Sequence, residues 1–187
     1  MELRTVYFEK PGRENTDKVF QIAKQRAQEL GIKDILVAST TGDTAVKAMD
    51  ALQGLRVITI THVAGLRSPD TQEFTEENRK IVEGKSGIVF TSTHAFGGLS
   101  RAMRRKFHTY VTGDIVANTL RIFGEGMKVV CEIALMVVDG GLVHTEEDII
   151  AIAGTSKGAD TAVVLSPVNS GNFFDLRIKE ILCKPRF

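Results

Sequence analysis

Apolar positions along the chain alternate between short unbroken runs and longer stretches with a helical period. Val19, Phe20, Ala23, Ala27 and Leu30 recur every three or four residues, with Asn15-Thr16 in front as a cap and Gly31 behind as a stop, which predicts a helix. Ile35-Leu36-Val37-Ala38 then reads as a buried strand, Thr44 to Leu52 as a helix and Val57-Ile58-Thr59-Ile60 as a second strand. A charged helix spans about Glu76 to Glu83, and Ile88-Val89-Phe90 is a third strand. Asp114 to Phe123 is amphipathic, whereas Met127 to Val138 is apolar almost all round and so belongs in the interior.

The last quarter changes rhythm. Ile149-Ile150-Ala151-Ile152 and Thr161 to Leu165 read as buried strands, and Phe174, Leu176 and Ile178 alternate with Asp175, Arg177 and Lys179 as a half-buried strand. Pro167 to Asn172 between them reads as a hairpin loop. Strands alternating with helices predict an α/β fold of three layers, α/β/α, with a mostly parallel sheet and an antiparallel C-terminal edge. All of 1–187 is expected to form a single domain, and a chain of that length buries roughly 70 % of its unfolded surface.

Parallel strands place their following loops at one sheet edge, where α/β proteins bind ligands. Four polar loops qualify. Ser39-Thr40-Thr41-Gly42-Asp43-Thr44 joins strand to helix, and its hydroxyls and helix-start N–H groups form an anion cradle or, on the plainer reading, a tight turn capped by Asp43 or Thr44. Thr61-His62 and Ser92-Thr93-His94-Ala95-Phe96-Gly97-Gly98 end neighbouring strands, so their histidines line one crevice or are simply surface residues. Gly154-Thr155-Ser156-Lys157-Gly158-Ala159 offers a backbone nest beside a lysine, or a connection that merely turns the chain. No lysine follows Gly42 in Walker fashion, and no local serine or cysteine elbow is present.

Three further features change the picture. Glu132 is the lone acid in the most apolar helix, so it is held by an internal ion pair or backbone N–H groups, or else serves a ligand or acts as a base. Asp139, two turns on, reads as a cap on the end of that helix. Arg101, Arg104, Arg105 and Lys106 form a basic cluster, read as a solvated helix face or as a contact to ligand phosphate. With 24 basic against 23 acidic residues the net charge is +1, which argues against nucleic acid as a partner. Cys131 and Cys183 lie in apolar segments as reduced thiols with no metal spacing, the start Met1-Glu2-Leu3-Arg4-Thr5 lacks a signal-peptide core, and no run approaches the roughly 18 apolar residues of a membrane span. No metal, no membrane and a cytoplasmic address are the corresponding expectations.

Ile35 to Ala45 resembles the C-terminal α/β domain of pyruvate kinase, where a Thr/Ser-rich loop with a central glycine receives a sugar-phosphate effector. Ile149 to Gly158 is similar to a later loop that closes on the same effector. Beginning with Tyr7 to Thr16, and through Thr61-His62, Gly154-Thr155, Gly158 to Ala162 and Phe174 to Arg177, the chain more closely resembles a stand-alone prokaryotic family carrying that domain without the kinase's catalytic barrel. The resemblance implies fold and ligand class more than reaction: a phosphorylated small molecule, with flavin mononucleotide (FMN) as the cofactor associated with the stand-alone family, and no pyruvate kinase activity. Only Lys157 stands where the kinase loop uses an arginine, which argues against fructose bisphosphate. Acid–base catalysis by His62, His94 or Glu132 and an assembly role as a homo-oligomer, since the kinase domain sits at subunit contacts, are the alternatives.

Overall fold

A computed structural model describes residues 2–186; Met1, which heads the N-terminal segment read above, lies outside the described residues, as does Phe187. The strands are β1 (Val6–Phe8), β2 (Asp34–Ala38), β3 (Arg56–Ile60), β4 (Ile88–Phe90), β5 (Ile149–Ala153), β6 (Thr161–Ser166) and β7 (Arg177–Pro185). They form one sheet in the order β1-β7-β6-β5-β2-β3-β4. The pairs β1/β7, β5/β2, β2/β3 and β3/β4 are parallel, and β6 runs antiparallel to both β5 and β7.

Helices cover both faces: α1 (Thr16–Leu30), α2 (Asp43–Ala51), α3 (Glu76–Gly84), α4 (Gly98–Phe107), α5 (Thr112–Arg121) and α6 (Glu125–Asp139). Strand pleating sends Ile35, Val37, Val57, Ile150 and Ile152 into one core with Val19, Phe20, Ala23 and Ala27 of α1 and Ala45 and Ala48 of α2. Leu36, Ile58, Ile60, Ile149 and Ala151 point the other way, against Val130, Ala134 and Val137 of α6. Each large aliphatic buried in this way contributes about 1.5–3 kcal/mol. The all-round apolar character of α6 has its cause here, since every residue from Gly126 to Val138 but Val129 is buried.

Four details differ from the pattern expected from the sequence. Asn15 holds the N-cap position of α1 but makes no side-chain cap: it ends a 3-10 turn, and its side chain donates back to Lys10 and Gly12 carbonyls, while Thr16 Oγ1 accepts the Ala159 N–H at 3.0 Å. Phe174 and Asp175 close a 3-10 helix over Ser170–Asp175 in place of a short hairpin loop, so β7 begins only at Arg177. Beyond β7 the sheet continues with the parallel strand β1, too short at three residues to leave a period. Asp139 caps nothing within α6; its Oδ1 accepts from Asn169 Nδ2 and the Ser170 N–H and so anchors that 3-10 segment. Gly31 stops α1 as expected, in the left-handed region at φ 70°.

Candidate functional site

Parallel pairing of β5, β2, β3 and β4 brings all four polar loops to the same sheet edge. The chain leaves β2 for β3 and β4 on one side and returns to β5 on the other, so β2 and β5 flank a topological switch point.

The first loop is held on both sides of Thr40. The Ser39 N–H donates to the Ile60 carbonyl at 3.0 Å, and Ser39 Oγ accepts from Ala45 N. The Thr41 carbonyl accepts from Thr75 N and from Asn78 Nδ2. Asp43, in the first turn of α2, turns its carboxylate outward to Thr41 Oγ1 at 2.9 Å and Asn78 Nδ2 at 3.1 Å. The amides of Asp43 and Thr44 consequently have no acceptor among the described residues. Gly42 has φ 103°, and a Cβ placed on it would lie 2.5 Å from Asn78 Cβ. Contact with α3 therefore requires this glycine whether or not a ligand approaches.

The second and third loops meet. His62 Nδ1 bonds Glu73 Oε2 at 2.8 Å, its Nε2 lies 3.4 Å from Thr40 Oγ1, and its ring centroid is 5.5 Å from that of His94. Thr61 and Thr91 share a hydroxyl contact at 2.6 Å. His94 Nε2 accepts the Val63 N–H at 3.2 Å, while Gly97 and Gly98 donate to the His94 carbonyl. Thr93 is exposed and Ser92 half-buried, and a Cβ on Gly98 would meet Thr93 Cγ2 at 2.7 Å. Behind them Glu132 satisfies both of its structural options, pairing with Lys128 one turn back and accepting the Phe96 N–H at 3.0 Å.

The fourth loop lies at the same edge but turns toward α1. Its Thr155 N–H goes to the fully buried Asp160, which also takes the Gly12 N–H at 3.1 Å and the Thr161 hydroxyl at 2.8 Å. A Cβ on Gly154 would strike the Gly158 carbonyl at 2.5 Å, and one on Gly158 the Arg13 Cα at 2.4 Å. Much of the expected nest is thus filled by the protein's own carboxylate, and its glycines have packing causes. Ser156 and Lys157 are exposed, and no hydrogen bond among the described residues links Gly154 through Ala159 to the Thr40–His62–His94 group.

The family model for the pyruvate kinase alpha/beta domain matches residues 17–165. The chain belongs to that family. Solved structures similar to this pyruvate kinase α/β-domain protein include a Cryptosporidium parvum pyruvate kinase at 12 % identity and a TM-score of 0.42, covering 82 % of this chain and 23 % of that one. The same organism's pyruvate kinase in complex with ADP matches at 12 % identity and 0.38, covering 80 % and 22 %. A further structure of it matches at 14 % and 0.36, covering 81 % and 22 %. The chain spans under a quarter of the length of these kinases.

Electrostatics separate the groups at this edge of the α/β domain's sheet. Burial holds the His94 pKa below the ordinary imidazole value against the pull of Glu132, with His62, Lys128 and Arg101 adding to the depression. The basic cluster divides. Arg101 turns inward, with a guanidinium nitrogen 3.2 Å from a Cβ placed on Gly97, and burial followed by Arg105 and Arg104 lowers its pKa while Glu132 opposes. Arg104 is committed to Asp114. Burial pushes the Cys131 and Cys183 thiols up to about 12, which keeps both protonated and inert. Among the described residues no three His, Cys, Asp or Glu side chains gather as a metal cluster, and no helix is long and apolar enough to cross a membrane. A groove of about 630 Å³ opens at the β1–β7 side of the sheet, between α1 and β7, and holds the Arg26–Glu180 ion pair.

Depression of the His94 pKa has a measurable sign. The unfolded chain takes up a proton near pH 6.5 that the folded state refuses, so stability is full above about pH 6.5 and declines below it. His94→Gln, which retains an acceptor for Val63, is expected to flatten that decline. Urea midpoints at neutral and mildly acid pH measure it, and an unchanged slope in the variant contradicts the assignment.

Sequence reasoning missed Glu73, Lys128 and Asp160 as members of these networks. Glu73 and Lys128 carried no local signal. The loop ending Gly-Ala-Asp-Thr carried one for Asp160, since an acid next to a run of loop amides competes for them.

Proposed function

We propose that the crevice over β2, β3 and β4 binds a phosphorylated small molecule, with FMN the leading candidate. The observation that carries this reading is the grouping of Thr40, His62 and His94 next to the unoccupied amides of α2, with Arg101 against the loop that carries His94 and with the Asp43 carboxylate bonded to Thr41 and Asn78. Helix-start amides and an inward arginine favour a dianion. These donors fit an FMN phosphate better than the fourth loop does, where Asp160 already occupies the amides. Bound FMN would supply one- and two-electron transfer; this chain's own residues would anchor its phosphate and orient it. Pyruvate kinase activity is not part of the proposal.

Quenching of flavin fluorescence on titration tests it. FMN is expected to bind about tenfold to a hundredfold more tightly than riboflavin, the worth of one charge-assisted set of hydrogen bonds. Arg101→Ala should erase most of that preference while leaving thermal stability unchanged. Equal affinity for the two flavins, or none for either, overturns the FMN reading.

A further inference from the structure

We infer that Thr40, His62 and Glu73 form a nucleophile–base–carboxylate triad able to cleave small carboxylic esters, an activity beyond ligand binding. An ionised carboxylate can only accept, so the 2.8 Å contact with Glu73 Oε2 places the His62 proton on Nδ1. Nε2 is then a bare acceptor facing the Thr40 hydroxyl at 3.4 Å, a separation within the looser range of unliganded sites. Three elements supply the parts: the turn from β2 to α2, the end of β3, and the long connection from β3 to α3. Order along the chain carries no weight in recognising such a triad; geometry does.

Surroundings agree with that role. Thr40 lies in a strand–turn–helix corner pinned by Ser39 on one side and Thr41 on the other. The amides of Asp43 and Thr44, at the start of α2, have no acceptor among the described residues and follow Thr40 closely in the chain, so an oxyanion would take them in competition with a bound phosphate. Glu73 is held by Arg67 at 2.9 Å, and the side chain of Gln72 bonds the His62 carbonyl at 3.0 Å. His94 faces His62 from the β4 loop with its pKa depressed, so it adds no competing cation. Arg101 beyond it favours substrates that carry a negative charge.

In the reaction, Thr40 Oγ1 bonds to the ester carbonyl carbon as its proton passes to His62 Nε2. The tetrahedral adduct collapses, the bond to the leaving alkoxide breaks, and that oxygen takes the proton from His62. Water then attacks the acyl-threonine, His62 receives its proton and returns it to Thr40, and the carboxylic acid departs. No redox partner is required. Thr40 and His62 are the catalytic residues, and Glu73 is a positioning residue acting through His62.

Steady-state and burst kinetics with p-nitrophenyl acetate test the triad, together with peptide mass mapping of the acetylated protein. A burst and an acetyl group on Thr40 are expected. Thr40→Ala should remove both and lower turnover at least about 100-fold, as should His62→Ala. Thr40→Val preserves shape if alanine loosens the turn, and Thr40→Ser should retain the burst. Glu73→Gln should lower kcat with KM unchanged, and Glu73→Asp should recover part of it. Flavin affinity is measured separately, so loss of one reading leaves the other standing. A folded Thr40→Val protein with the parental rate, or a parental protein with no acetyl group on Thr40, overturns the triad and leaves Glu73 as an anchor for its loop.

Discussion

Glu132→Ala is expected to cost about 3–5 kcal/mol, because truncation leaves the buried ammonium of Lys128 without its counter-charge and the Phe96 N–H without its acceptor. For a domain of this size, where 1 kcal/mol moves the melting temperature by about 2–4 °C, that is a fall of roughly 6–20 °C. Glu132→Gln should cost less, since the amide oxygen still accepts from Phe96. Replacing Lys128 and Glu132 together with Met and Leu should recover the part of the loss due to the unpaired ammonium, while the Phe96 N–H still lacks its acceptor. Differential scanning calorimetry of the single and double variants measures the difference. A double variant as unstable as Glu132→Ala would show that the ion pair is not the cause. The pair also fixes the loop that carries His94, since Glu132 holds Phe96 two residues further on, so the single variant is expected to disturb ligand affinity as well.

The second large effect is expected at Gly158, for which Val is the informative substitute. Its φ of 74° is left-handed, costing a β-branched residue about 1–2 kcal/mol, and the new Cβ would stand 2.4 Å from the Arg13 Cα, a backbone atom that cannot swing aside. With overpacking of about 1–3 kcal/mol added, the total is roughly 3 kcal/mol. Gly171→Val, where a Cβ would meet nothing within 4 Å, serves as the control. Urea unfolding of both measures the gap, and equal midpoints would remove the packing account of this loop. Because no hydrogen bond among the described residues links Gly158 to Thr40 or His62, flavin affinity measured on folded Gly158→Val should be retained.

The legibility of these elements in the sequence followed their hydrophobic content. β2, β5 and β6 each carry at least three adjacent aliphatics and β3 carries three interrupted only by Thr59; all four are buried on both faces and were readable to within a residue or two. β1 has three residues, only half covered, and no period can form over that length. At β7 the alternation of Phe174, Leu176 and Ile178 gives the correct parity for Ile178 but extends too far back: Phe174 is 84 % exposed within the 3-10 segment. In the site, Thr40, His62 and His94 were legible because strand-end position is a topological property that parallel order transmits. Glu73 was not, since it lies eleven residues beyond His62 in a connection without periodicity, and only tertiary folding brings the two together. The glycines misled in a definite way: Gly42, Gly154 and Gly158 all mark close approaches, but the approaching atoms belong to Asn78, the loop itself and Arg13.

The parallel pairing of β1 with β7 has a consequence for biosynthesis. Thr5 Oγ1 bonds the Ile181 carbonyl across 176 residues of sequence, and Arg186 donates to the Phe8 carbonyl at 3.0 Å. At translation rates of about 5–20 residues per second, β1 emerges roughly 9–35 s before the strand that receives it. Until β7 is made, neither β1 nor the outer side of β6 has its pairing strand, and both edges are left open to other partners.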